Sequence, residues 1–189
     1  MTTPITIRVT LWLWLIAAVL VGNFQLLAGK HAFVLPALML TLTLAVLVVA
    51  HRSEALCAWL AGLDLRIFLL LHVTRLVGFY MLELPERGLL PSHFAVPAGW
   101  SEILVAVSAV LICVLPMRES MRRKAISLWN VVGFFGLLFV VITAAQLAFT
   151  DSTQLRVFTY LPLSLLPTFL VPLLFSTHVL LYRRLQHAE

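Results

Sequence analysis

Six apolar runs of membrane-crossing length, split by short charged stretches, constrain this chain more than any other feature. A hydrocarbon core about 30 Å thick takes roughly 20 apolar residues per helix. Backbone groups in lipid have to be satisfied internally, which leaves helices or closed barrels. The runs are about Val9–Ala28, Ala32–Ala50, Leu65–Leu84, Ala98–Met117, Ile126–Phe149 and Val157–Tyr182. Of 189 residues, 62% are hydrophobic and 11% charged, so nothing remains for a soluble catalytic domain. The expected fold is an all-α polytopic bundle, a single transmembrane domain over residues 1–189. The first run resembles a signal peptide, but no small-x-small cleavage site follows it, and we expect an uncleaved first span.

Between the second and third runs, Ser53 stands where a helix cap would. Leu56, Trp59, Leu60 and Leu63 follow at helical spacing, which predicts a short amphipathic helix over 53–63 lying in the interface.

Basic residues set the expected orientation. Arg8, Arg52, Arg66, Arg118, Arg122, Arg123, Lys124, Arg183 and Arg184 fall on one side, and Lys30, Arg87 and Arg156 on the other. Both termini are therefore expected in the cytoplasm. Trp12, Trp14, Trp59 and Trp129 are assigned to the inner aromatic belt and Trp100 to the outer one. The net charge of +5 does not indicate nucleic acid, because the cations sit between apolar runs rather than among stacking aromatics. The stretch 118–124, read as a loop, offers about four charges to anionic lipid headgroups. The two cysteines, Cys57 and Cys113, have neither CxxC spacing nor metal-ligand neighbours, so no metal is expected.

Polar residues inside the runs carry the functional information. Arg75 lies near the middle of the third, where an Arg costs roughly 2.5–3.5 kcal/mol on insertion scales and needs a partner. Glu102 is the first candidate, because Ala106, Ala109 and Cys113 follow it on a small-residue face that packs closely against other helices. Glu83, eight residues on from Arg75, is the second. Gln25 shares a face with Ala18, Gly22 and Gly29, and Gln146 with Gly136 and Thr143. Gln25, Arg75, Glu102 and Gln146 are thus expected to line one outward-facing polar pocket, with Asn23 and Asn130 on other faces. His72 and His178 lie at equal depth, as a bis-histidine haem b would need. No cofactor is predicted on that ground alone. Ser101 begins as a nucleophile candidate, but its expected depth leaves it roughly 20 Å from His178 at 1.5 Å per residue, beyond hydrogen-bond reach. The reading leans away from an enzyme.

The prolines 162, 167 and 172 predict a tilted, kinked last span. The linker Pro85–Pro97 carries Leu89, Leu90, Phe94 and Val96, apolar enough to predict a lid over the outer mouth. The stretches 21–37 and 77–98 echo each other loosely, as a duplicated hairpin would.

Arg75-Leu76-Val77-Gly78, Gly88-Leu89-Leu90-Pro91 and Phe94-Ala95-Val96-Pro97-Ala98-Gly99-Trp100-Ser101-Glu102 together resemble a motif of small bacterial polytopic membrane proteins. That set carries Arg-x-x-Gly, Gly-x-Leu-Pro and Phe-Ala-x-Pro-Ala-Gly followed by Gly-Asp; Ser101-Glu102 stands here in place of Gly-Asp. The resemblance implies no activity but ties Arg75 and Glu102 into one block. Three functions follow: a small transporter or ligand-binding protein for a small molecule or ion, a non-catalytic structural or accessory subunit, and a haem or redox protein.

Overall fold

The computed structural model describes residues 4–31 and 33–186. Ala32, expected to open the second span, lies outside them. The described chain is helical, and six helices are long and apolar enough to cross a membrane: Ile5–Asn23, Val34–Arg52, Leu65–Glu83, Ser92–Val114, Glu119–Thr150 and Leu166–Gln186. This is an integral membrane protein by length and composition.

The chain divides into two compact units, Met1–Leu63 with Ala145–Ser176, and Asp64–Ala144 with Thr177–Glu189. In the first unit, α1 (Ile5–Asn23) buries only Ala18 and Gly22, and α2 (Val34–Arg52) only Ala50. Their other apolar side chains are half-buried or exposed, with Trp12, Leu13, Leu40 and Leu44 among the most exposed, as helices facing lipid allow. Helix α3 (Glu54–Gly62) starts at Ser53, whose side chain accepts from the Leu56 N–H at 3.2 Å. Leu56, Trp59, Leu60 and Leu63 are its half-buried stripe, as the spacing predicts.

The expected sixth span is shorter and more broken than its sequence run. A 3₁₀ segment covers Ser152–Thr159, and a π-helical turn over Leu166–Leu170 leads into α8 (Val171–Gln186). Three prolines five residues apart remove three N–H donors and prevent one continuous ladder. Pro172 cannot bond the Thr168 carbonyl; the Trp14 indole N–H donates to that oxygen instead, at 2.9 Å. Trp14 is therefore tied to the bundle rather than free in an aromatic belt.

In the second unit, the third span is composite: α4 (Leu65–Leu71), a 3₁₀ stretch His72–Val77, and α5 (Gly78–Glu83). A 3₁₀ helix has 3.0 residues per turn, so positions i and i+3 eclipse. Leu69, His72, Arg75, Gly78, Met81 and Leu84 accordingly form one buried stripe. It packs along α6 (Ser92–Val114), which buries Phe94, Ala95, Ala98, Gly99, Glu102, Ile103, Val105, Ala106 and Ala109. The two backbones approach at Gly78 and Gly99, where a methyl on Gly78 would collide with the Gly99 carbonyl oxygen.

Helix α6 starts six residues before the expected Ala98. Pro97 is accommodated because the carbonyl it leaves unbonded belongs to exposed His93 in the first turn. The expected lid is therefore mostly the opening of a helix. Leu90 and Phe94 are buried, whereas Leu89 and Val96 are 47% and 41% exposed.

Helix α7 (Glu119–Thr150) absorbs most of the basic stretch 118–124 into its first turns, with Glu119 favourably at the positive end of the helix dipole. Arg122 points inward and donates to the carbonyls of Ile112, Cys113 and Leu115 at 2.8, 3.3 and 3.3 Å. These are unpaired oxygens of the α6 C-terminus. Helix α8 (Val171–Gln186) brings Thr177 and His178 into the second unit.

Candidate functional site

Apart from Arg122, the buried polar groups of the second unit gather around Arg75. Its side chain is fully buried, and Glu102 is 4% exposed. Arg75 Nε donates to Glu102 Oε2 at 2.9 Å and Nη2 to Oε1 at 2.7 Å. This is the bidentate geometry that a planar guanidinium and a carboxylate favour. Nη1 donates to the Gly133 carbonyl at 3.1 Å. The expected Arg75–Glu102 pairing is thus direct. Glu83, the other acid considered, instead pairs with Arg87 on the surface at 2.9 Å.

One turn back along the third span, His72 is buried, with its Nε2 3.1 Å from Thr177 Oγ1. His178, also buried, places Nδ1 2.8 Å from Asn130 Oδ1. The Asn130 Nδ2 donates to the His178 carbonyl at 3.1 Å, which orients the amide. Oδ1 can only accept, so the His178 Nδ1 carries a proton, and when the ring is neutral its Nε2 is an acceptor. His178 Nε2 and His72 Nδ1 have no hydrogen-bond partner. The absence of a side chain at Gly133 leaves room for the imidazole, since a Cβ there would lie 2.8 Å from His178 Cε1.

Equal depth of the two histidines is borne out, but haem does not fit. The ring centroids are 4.3 Å apart. Two axial imidazoles on one metal hold their nitrogens about 4 Å apart, at about 2 Å per bond, and their centroids further apart still. The rings touch where a porphyrin would have to pass. Trp129, assigned to the interface by sequence, is buried edge-on against His72 at 4.9 Å and donates to the Val105 carbonyl at 3.0 Å.

Ser101 lies deeper than its sequence position implies. A Cβ on Gly136 would sit 3.0 Å from Ser101 Oγ, while Gly133 faces His178. Ser101 and His178 therefore meet α7 about one turn apart, at 1.5 Å rise over three residues, not some 20 Å apart. The early start of α6 accounts for the shift. Arg75 Nη2, 4.0 Å from the same Gly136 position, lies near Ser101, and the hydroxyl makes no bond to the His178 ring.

Gln25 and Gln146 are both exposed, and both belong to the first unit. Helix α1 stops at Asn23, and Gln25 adopts a left-handed φ of 53° in the following turn, so the helical face that sequence assigned to it does not exist. Asn130, set aside on sequence grounds, is a central member. Its signal was the stripe Ile126, Trp129, Asn130, Gly133 and Leu137, whose i, i+3, i+4, i+7 and i+11 spacing marks the buried face of α7.

Residues 30–186 match the family described as Domain of unknown function (DUF8737). The chain belongs to this family. The matched region contains the whole Arg75 cluster. No curated protein and no solved structure matches the chain.

Proposed function

We propose that this protein resides in a bacterial cytoplasmic membrane with both termini inside, and that its second unit holds an intramembrane site for a small polar solute or ion. It would act as a small transporter or ligand-binding protein. One observation carries the reading: two buried imidazole nitrogens without partners stand beside a sealed ion pair. A group that only locks helices is stable when every polar atom is satisfied. Each unsatisfied buried nitrogen costs about 1–3 kcal/mol, and a bound ligand would recover that cost. His178, held in one tautomer by Asn130, offers an acceptor; Arg75 has N–H groups beyond its three bonds.

A second reading, a structural or accessory subunit, is favoured by the complete enclosure of Arg75 and the spending of all three of its nitrogens on protein acceptors. Uptake into proteoliposomes distinguishes the two. A panel of labelled amino acids, carboxylates, phosphate, ammonium and sugars is offered to wild type and to His178→Leu, each verified monodisperse. Saturable uptake of one solute, lost in the variant, supports a site. No uptake of any solute, with a variant less stable than wild type, overturns it in favour of the accessory role. The proposed topology is tested by impermeant thiol labelling in a background lacking the native cysteines. Gly88→Cys should label from outside and Ser120→Cys only from inside.

A further inference from the structure

Four chain segments meet at one end of the second unit: the start of α4, the C-terminus of α6, the start of α7 and the C-terminus of α8. Cys113 Sγ lies 3.9 Å from the Arg66 carbonyl oxygen, Arg122 caps α6, and the Arg184 guanidinium stands 5.9 Å from the Phe68 ring centroid. Arg66, Arg118, Arg122, Arg123, Lys124, Arg183 and Arg184 gather there, against Asp64 and Glu119. The excess of five equals the net charge of the whole chain, +5.

The two acids leave most of these cations unpaired. Asp64 caps α4, accepting from the Arg66 N–H at 2.9 Å. Glu119 approaches only Arg122, at 3.9 Å. Among the described residues, Arg66, Arg118, Arg123, Lys124 and Arg183 have no carboxylate within ion-pair distance. Directly beside these cations the helices show apolar side chains: Ile67, Leu111, Val114, Met121 and Leu128 are 48%, 47%, 67%, 61% and 67% exposed. Cations above exposed alkyl side chains complement a molecule with a phosphate above acyl chains. A soluble anion would use only the first of these features.

We propose that this end of the second unit binds anionic phospholipid, with the phosphate held by Arg66, Arg123 and Lys124 and flanked by Arg118 and Arg183, and the acyl chains lying along α4, α6 and α7. Arg122 takes no part, because its guanidinium is consumed inside the fold. The site is independent of the solute reading, since it requires only residence in a bilayer.

Native mass spectrometry of the full chain, released from detergent with phosphatidylglycerol or phosphatidylcholine added, tests the proposal. Phosphatidylglycerol should be retained at least about tenfold more tightly, and the preference should shrink as salt rises. A cation near the headgroups contributes about 1 kcal/mol. Arg66→Gln, Arg123→Gln and Lys124→Gln together should therefore weaken retention about 100-fold. Arg118→Gln with Arg183→Gln should weaken it up to about 30-fold and serves if the triple variant does not fold. Arg8→Gln with Arg52→Gln, in the first unit, should leave it unchanged. Equal retention of the two lipids overturns the proposal, as does a triple variant that retains phosphatidylglycerol normally. Displacement of the lipid by millimolar inorganic phosphate would also overturn it, assigning the cations to a soluble anion.

Discussion

Replacing Glu102 by Gln removes one charge from a pair that the protein seals away from solvent, while almost preserving side-chain volume. The guanidinium of Arg75, fully buried, then faces a neutral amide where it had two charge-assisted bonds of 2.9 and 2.7 Å. Breaking a buried pair from one side typically costs about 3–5 kcal/mol, because the surviving charge is uncompensated. Arg75→Met strands the carboxylate instead and also frees the Gly133 carbonyl. It should cost about 1 kcal/mol more than Glu102→Gln for that additional bond. The double variant leaves no buried charge, so its loss should be smaller than either single loss. The cycle should show a coupling of at least about 2 kcal/mol. Unfolding of the micelle-bound protein by dodecyl sulfate, followed by tryptophan fluorescence, measures all four corners; Trp129 reports locally through its contact with His72. Losses that add to within about 0.5 kcal/mol would refute the reasoning, since they would mean that neither group depends on the other for its charge.

Gly78→Ala should destabilise by about 1–3 kcal/mol in the same assay, because the new methyl meets the rigid Gly99 backbone. Arg122→Gln should cost about 1.5–3 kcal/mol through loss of its charged donations to the α6 C-terminus, whereas Arg123→Gln should stay within about 0.5 kcal/mol. Asp151, outside the spans, has its carboxyl held below the ordinary value by the Thr153 hydroxyl, the Gln154 amide and the Thr153 N–H. A depressed folded value stabilises the following 3₁₀ turn above the unfolded value of about 3.9, and that contribution is lost as pH falls through the lower folded value. A carbon-13 titration of the Asp151 carboxyl should give a midpoint under about 3.9, raised by Thr153→Val; a midpoint at or above it contradicts the bonding.

Glu102 was legible because helical periodicity is local. Once Ala106 and Ala109 define a small-residue face, the acid on that face has to turn inward. Its partner was legible too, since a mid-span Arg has few acids within reach. The matching depth of His72 and His178 could be counted along the two runs in the same way. Asn130 and Trp129 were misread for a different reason. The amphipathic ring suggests the interface for Trp129, and Asn130 falls on another face once the Gln146 face is read as the inward one; only the neighbouring helices supply the Val105 carbonyl, the His178 ring and the His178 carbonyl that satisfy them.

The sequence by itself determined the number of crossings, the approximate limits of most of them and the inward face of α6, because lipid imposes length and apolarity on each helix separately. Tertiary structure decided where the helices end and how they wind. Pro97 is tolerated inside α6, the third span tightens to a 3₁₀ turn that aligns His72 with Arg75, and Arg122 leaves the lipid surface to cap a neighbouring helix. Each of these changes how a backbone hydrogen bond is met: the His93 carbonyl is left exposed, the 3₁₀ turn bonds at i+3, and Arg122 supplies side-chain donors to the end of α6. Hydrophobic periodicity reports which face is buried, and it carries no record of which donor will reach which acceptor across the interface.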